Sequence, residues 1–180
     1  ITPTGGNNSA DNLYQQLYPY STWGKRFVLV PGENRPNANV SLNTNYFRVF
    51  RPDATTNVYR DGVLIPPASF INNYFQFSSN VPSLIVADKP ILAAQYFTTQ
   101  GTSGNLSPHD PEMIYLNPLE QTLTDVTLNS MQPASNTNIN QHFINVVLRN
   151  AGTGVSSFRI DGAVPSAAAI PLPQDNNYAY

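Results

Sequence analysis

The densest set of side chains able to do chemistry is acidic: Asp110, Glu112 and Glu120, with His109 beside them. Two carboxylates flanking a bond can act as acid and base in glycoside hydrolysis, and several oxygen donors together can hold calcium. The spacing lacks the Asp-x-Asp-x-Asp-Gly pattern of a calcium loop. Glu120 falls in Asn117-Pro118-Leu119-Glu120, a turn in which accepting hydrogen bonds from loop amides is the ordinary task of a carboxylate. Calcium is thus the one cofactor these residues suggest, on Asp110, Glu112 and Glu120, and the expectation is that none is needed. His109 and His142 lie far apart with no paired ligand near either, where zinc takes three or four. No Gly-x-Ser-x-Gly elbow is present, and Gly101-Thr102-Ser103-Gly104 lacks the lysine of a phosphate loop. No catalytic residue is assigned.

Other residues carry a functional reading beside a structural one. Trp23, before Gly24, can stack on a sugar or pack in the core, and packing is the commoner fate. Tyr14, Tyr18 and Tyr20 form an aromatic patch that can meet a partner, although packing again competes; Trp23, Tyr18 and Tyr20 are the candidate ligand contacts. Asp88-Lys89-Pro90 puts a carboxylate beside an amine, yet between two apolar runs it reads as a tight turn, with Asp capping amides and Pro fixing φ.

These groups sit in a chain of 180 residues with a net charge of −2 and no cysteine. Charged residues are 11% of it, against about 25% in an average soluble domain, and Asn, Ser, Thr and Gln fill the shortfall. Two lysines and seven arginines give no basic field for nucleic acid or an anionic membrane. No apolar run approaches the roughly 18 residues of a membrane span. Nucleic-acid, membrane-spanning and disulfide-scaffold readings are excluded. Scarce lysine, abundant Asn and Thr and 16 prolines suit an exported β-rich surface. The start at Ile1, without a charged and apolar leader, reads as a processed product or a fragment.

The positioning elements are strands. Residues 1–12 read as a flexible lead-in, and Leu13 to Leu17 as one helical turn ended by Pro19. Tyr46-Phe47-Arg48-Val49-Phe50-Arg51 alternates as a half-buried strand should. Val58-Tyr59-Arg60, Asp61-Gly62 and Val63-Leu64-Ile65 make a hairpin on a tight primed turn. Arg26–Pro31, Tyr74–Phe77, Ser83–Ala87, Ile91–Phe97, Met113–Leu116 and Thr122–Leu128 are further candidate strands. No ten residues keep a helical period, so the chain is predicted to be all-β.

Part of the pattern occurs twice. A strand, an Asp-Gly turn and Asn-Asn-Tyr appear at Phe47–Arg51, Asp61-Gly62 and Asn72-Asn73-Tyr74. They return in the same order at Ile144–Arg149, Asp161-Gly162 and Asn176-Asn177-Tyr178. The first copy continues into two apolar strands and the second does not, which predicts an exposed sheet edge. The predicted architecture is a β-sandwich of two related antiparallel units, residues 13–116 and a truncated 117–180 packed on it, burying Phe47, Val49, Ile85, Ile91, Ile114, Val146 and Leu148. The absent strands would come from a longer polypeptide or from another chain.

Three motifs then carry a family resemblance. They are Leu13-Tyr14-Gln15-Gln16-Leu17-Tyr18-Pro19 with Ser21-Thr22-Trp23-Gly24-Lys25-Arg26-Phe27; Val86-Ala87-Asp88-Lys89-Pro90-Ile91 with Ala94-Gln95-Tyr96; and Asp110-Pro111-Glu112-Met113-Ile114 with Asn117-Pro118-Leu119-Glu120-Gln121. From about Leu13 onward the chain resembles the N-terminal domain of IgGFc-binding protein, in the form carried by large bacterial surface proteins of the adhesin and gliding type. The resemblance implies an extracellular, secreted or surface-held, non-enzymatic structural and adhesive module whose partners are other domains or chains of the same protein. It also implies a domain longer than this chain. No motif defines immunoglobulin binding, so that property does not carry over. The alternative is a lectin-like domain that grips glycan with Asn- and Tyr-rich loops.

Overall fold

A computed structural model describes residues 13–34, 41–42, 44–97, 111–129 and 143–180. The chain is all-β: strands joined by short 3-10 turns, with one four-residue α-helix, Gly154–Ser157, among the described residues. Contacts divide it into two compact units, Ile1–Gln121 with Pro173–Asp175 and Thr122–Leu172 with Asn176–Tyr180.

The strands of the first unit are β1 (Gly24–Leu29), β2 (Glu33–Asn34), β3 (Ser41–Leu42), β4 (Asn45–Phe50), β5 (Val58–Arg60), β6 (Val63–Leu64), β7 (Tyr74–Ser79), β8 (Ser83–Phe97) and β9 (Glu112–Tyr115). All but β2 and β3, which pair with each other, join one antiparallel sheet that curls around β8. The first half of β8 is flanked by β1 and β5, with Ile85 opposite both Phe27 and Arg60. Its second half is flanked by β4 and β9, with Ala94 opposite both Arg48 and Tyr115.

Alternation along each strand aims one set of side chains inward. Phe27 and Leu29 from β1, Phe47 and Val49 from β4, and Ile85, Ala87, Ile91 and Ala93 from β8 meet in a single core with Val58 and Ile65. Full burial of each larger aliphatic or aromatic side chain contributes about 1.5–3 kcal/mol. Beside the core runs an aromatic ladder, Phe70 to Phe75 to Phe77 to Phe47, with ring centroids 5.9, 5.5 and 5.4 Å apart.

The expected turn at Asp88-Lys89-Pro90 is instead the middle of one 15-residue strand. The register opposite it slips between Gly24, which faces Ile91, and Arg26, which faces Val86. Pro90 therefore sits where the strand changes partners, and its missing N–H interrupts no continuous ladder. A second correction concerns the lead helical turn: residues 13–19 are not helical, and the 3-10 turn is Tyr20–Thr22, started by Pro19. A proline with φ −54° opens such a turn more readily than it closes one. A third is Thr122–Leu128, which forms no strand; Leu123, Val126 and Leu128 are exposed. Alternation makes a strand only where a facing sheet can bury one side.

In the second unit β10 (Leu148–Arg149) pairs with β11 (Tyr178–Ala179). The repeat read in the sequence recurs in backbone geometry. Asp61 and Asp161 have φ of 53° and 50°, and Gly62 and Gly162 have 81° and 78°. Phe50 faces Tyr74 as Arg149 faces Tyr178. Arg51 N–H donates to Asn73 O at 2.9 Å, and Asn150 N–H to Asn177 O at 2.7 Å. Asn72 and Asn73 have positive φ whereas Asn176 and Asn177 do not, so the two Asn-Asn-Tyr segments turn differently. Of the residues expected inside, Phe47, Val49, Ile85 and Ile91 are core, while Ile114, Val146 and Leu148 are half-buried.

Candidate functional site

The aromatic residues read as candidate contacts gather in the first unit around two short 3-10 turns. Pro19 starts the first turn, and Thr22 N–H and Oγ1 both donate to Pro19 O, at 2.9 and 2.8 Å. Trp23 closes it with its N–H on Tyr20 O at 3.1 Å, and its indole Nε1 donates to Tyr18 O at 3.0 Å. The Tyr20 ring stands edge-on to Trp23 at 5.4 Å, and Tyr18 lies 5.4 Å from Tyr115. Trp23 is half-buried with its polar atom used, so it fastens the turn; Tyr18 and Tyr20 are 41% and 54% exposed.

The facing wall is the second 3-10 turn, Leu119–Gln121. Gln121 Nε2 donates to Thr22 O at 2.6 Å, and Glu120 Oε1 accepts from Lys25 N–H at 3.3 Å. The approach is close enough that a Cβ on Gly24 would fall 2.1 Å from Pro118 Cβ, which is why glycine stands there. Between the turns lies a recess of about 220 Å³, lined by Tyr18, Thr22, Leu92, Leu116, Asn117 and Gln121 among others. That is below the roughly 300–1,000 Å³ of small-molecule sites. It suits one sugar ring or one side chain of a partner, with Asn117, Thr22 and Gln121 as polar groups around an apolar floor.

The two described acidic candidates, Glu112 and Glu120, stand on different elements. Glu120 belongs to the turn just described, and Glu112 is exposed at the start of β9 opposite Phe97. Asp110, His109 and His142 lie outside the described residues. Among the described residues no three His, Asp or Glu side chains converge as a metal site would require.

Acids outside the candidate set make structural bonds. Lys89 bonds Asp53 at 2.5 Å and also the Thr55 hydroxyl. The Lys89 ammonium holds the Asp53 carboxyl well below the usual carboxylate range, helped by Thr55, and Asp53 raises Lys89 in turn. Asp88 accepts from Asn57 N–H at 3.0 Å and from its amide at 2.7 Å. Asp61 accepts from Leu84 N–H at 2.8 Å, and Asp175 pairs with Arg26 at 2.9 Å. Burial raises the Tyr115 phenol. In the sequence Asp61-Gly62 carried a signal as a turn and Asp88 as a cap for backbone amides, although its amide partner is Asn57, 31 positions earlier; the Asp53–Lys89 and Asp175–Arg26 pairings join distant positions that no local pattern marks. No helix among the described residues is long and apolar enough to cross a membrane.

Compared with known families, the chain matches the one described as IgGFc binding protein over residues 2–180. No curated protein and no solved structure matches it.

Proposed function

The chain belongs to the IgGFc binding protein family, and from that premise we propose that it is an extracellular, non-enzymatic binding module, a structural and adhesive part of a large bacterial surface protein of the adhesin or gliding type. The family match over residues 2–180 is the observation that carries the reading. The use of carboxylates supports it: Asp53, Asp61, Asp88, Glu120 and Asp175 each brace a backbone amide or a neighbouring side chain. The module's partners are proteins or ligands met through loops, and its polar, weakly charged exterior suits a long surface protein.

Two measurements test this. Antibody against the chain should label intact source cells, and beads coated with it should stay attached to a protein-coated surface under shear that removes bare beads. Absence of labelling overturns the location, and equal detachment overturns adhesion. Turnover of glycosides or esters, lost in Glu112→Gln or Glu120→Gln, would make the chain an enzyme.

The recess gives a second reading its footing. Exposed Tyr18 lines the recess with Asn117 and Gln121 and offers a stacking face next to amides, the combination a lectin uses. Saturable binding on a glycan array, abolished by Tyr18→Ala with folding intact, would favour the lectin; silence across the array would leave the adhesive module.

A further inference from the structure

The alternation that sends Phe47 and Val49 of β4 into the core turns Tyr46, Arg48 and Phe50 to the outer face of the sheet. Across from Arg48 stand Gln76 of β7 and Ala94 of β8, and Tyr115 of β9 stands across from Ala94. Directly opposed residues share a face, so these rows make one surface four strands wide. Arg48 is the one charged side chain on it among the described residues.

Elsewhere in the first unit arginine and lysine charges are neutralised or enclosed. Arg26, Arg60 and Lys89 have the carboxylates of Asp175, Asp61 and Asp53, and Arg51 is buried with Nη1 on Thr56 O. Arg48 has no carboxylate among the described residues; an amide stands opposite it. Its Nε donates to Gln76 Oε1 at 2.9 Å in a solvent-exposed bond. Its guanidinium carbon lies 4.8 Å from the Tyr74 ring centre and 5.1 Å from that of Tyr96. The negative faces of two rings hold the cation in place without cancelling its charge. Nη1 reaches Tyr96 Oη only at 3.5 Å, so Nη1 and Nη2 keep the forked N–H pair that matches a carboxylate.

Tyr46, half-buried, stands two positions before Arg48 on the same face. Ser78, opposite Tyr46, and Gln76 are exposed, and Gln76 keeps its Nε2 donors. The surface spans roughly 14 Å across the strands and roughly 13 Å along them, with β7 and β9 at its sides among the described residues. That is far below the ~800 Å² per partner of a standard protein interface. It is the footprint of a short carbohydrate.

We infer that the outer face of β4 and β7 binds an acidic sugar, a pyranose carrying a carboxylate. The carboxylate sits in the Arg48 fork, the C–H face of the ring lies on Tyr46, and ring hydroxyls bond Gln76 Nε2 and the Ser78 hydroxyl. Charge selects the class. A lone cation with no anion beside it attracts a carboxylate, whereas a neutral sugar would leave it unpaired. Hexuronic and sialic acids share this chemistry. The site is separate from the recess, which none of Tyr46, Arg48, Gln76 and Ser78 lines. The inference rests on the reading of the chain as an extracellular binding module and gives that module a ligand class.

The test uses the whole 180-residue chain at low salt, with tetragalacturonate, its methyl ester and sialyllactose as probes. Calorimetry should show saturable binding of tetragalacturonate or sialyllactose, and the tighter of the two names the source of the carboxylate. The ester, without the charge, should bind about 10- to 100-fold more weakly, the range of a hydrogen bond to a charged group. Arg48→Gln should lose the same factor at an unchanged melting temperature, and Tyr46→Ala should weaken binding severalfold while leaving its salt dependence. Tyr18→Ala, in the recess, should change nothing. On the unaltered chain, the amide NMR signals that move with added probe should lie in β4 and β7. Absence of binding by both acids, equal binding of the ester, or shifts confined to Leu116–Gln121 would overturn the site. Equal binding of hexaglutamate through Arg48 would assign the face to acidic proteins and overturn the sugar. The labelling and shear measurements report on the module whether or not Arg48 holds a sugar, so the two readings fail separately.

Discussion

Gln95 and Asn45 meet side chain to side chain inside the first unit, Gln95 Nε2 donating to Asn45 Oδ1 at 2.8 Å with both residues at 1% exposure or less. The same Asn45 oxygen accepts from Gly32 N–H at 2.7 Å, and Gln95 Nε2 also reaches Val30 O at 3.1 Å. Two donors on one oxygen set the orientation of the Asn45 amide. The pair ties the segment after β1 to the start of β4 and to the far end of β8.

Replacing Gln95 by leucine keeps the volume and removes these bonds. Gln95→Leu should lower unfolding free energy by about 1–3 kcal/mol, the cost of leaving buried polar partners short of a bond. Urea titration reads this as a lower midpoint at unchanged slope; an unmoved midpoint would show the pair to be dispensable.

Phe27 is fully buried at the centre of the curl. Phe27→Ala should cost about 3–5 kcal/mol through lost burial and the cavity left behind. Leu123→Ser, at a side chain 70% exposed, should stay within about 0.5 kcal/mol of the parent. Comparable losses for the two would contradict the placement of the core.

Gly24→Ala puts a methyl group 2.1 Å from Pro118 Cβ. The second 3-10 turn must shift, at about 1–3 kcal/mol. Gln121 then loses Thr22 O, and the Trp23 fluorescence maximum should move to the red as the recess opens. A variant with parental stability and emission would mean that the turns are not in contact.

Asp61→Ala removes the acceptor for Leu84 N–H and should destabilise the first unit by about 1.5–3 kcal/mol. Hydrogen exchange at Leu84 and Ile85 should quicken before that at Ala93. Uniform quickening along β8 would show that this bond has no local role.

The Asp53–Lys89 pair carries a pH signature. The Asp53 carboxyl is lowered in the folded chain, so its contribution is complete above the ordinary carboxylate pKa near 4 and fades as pH falls toward the depressed value. Lys89 is raised, so its contribution is complete below about 10.4 and fades above it. The melting-temperature difference between the parent and Asp53→Asn should therefore be constant from about pH 5 to 9 and narrow below about pH 4. Because both groups are exposed, the difference should be small and should shrink in salt. A difference that widens with acid would refute the pairing.

Much of the β framework was legible because it rests on local rules. Alternation in Tyr46–Phe50 placed Phe47 and Val49 inward, and Asp-Gly announced both positive-φ turns. The alternation of Thr122–Leu128 misled because period-2 patterning describes what a strand would look like, not whether a sheet is there to receive it. Asp88-Lys89-Pro90 misled because the same three residues serve a turn or a corner in a long strand, and the choice belongs to β1, more than sixty positions earlier. At the candidate site, the chemistry of Tyr18, Tyr20 and Trp23 was readable, but the recess was not. Its second wall comes from Leu119–Gln121, brought in by the absence of a side chain at Gly24.

By itself the sequence determined the all-β class, the hairpin turns, the duplicated order of motifs and the family resemblance, since each depends on residue type and near neighbours. Tertiary structure alone decided that β8 runs unbroken through Pro90, that Asn45 and Gln95 share a bond in the core, and that Asp61 takes Leu84 as its strand partner. Those outcomes depend on which distant segments meet, and pairing across tens of residues is selected by the burial and hydrogen bonding of the whole sheet, which no local pattern records.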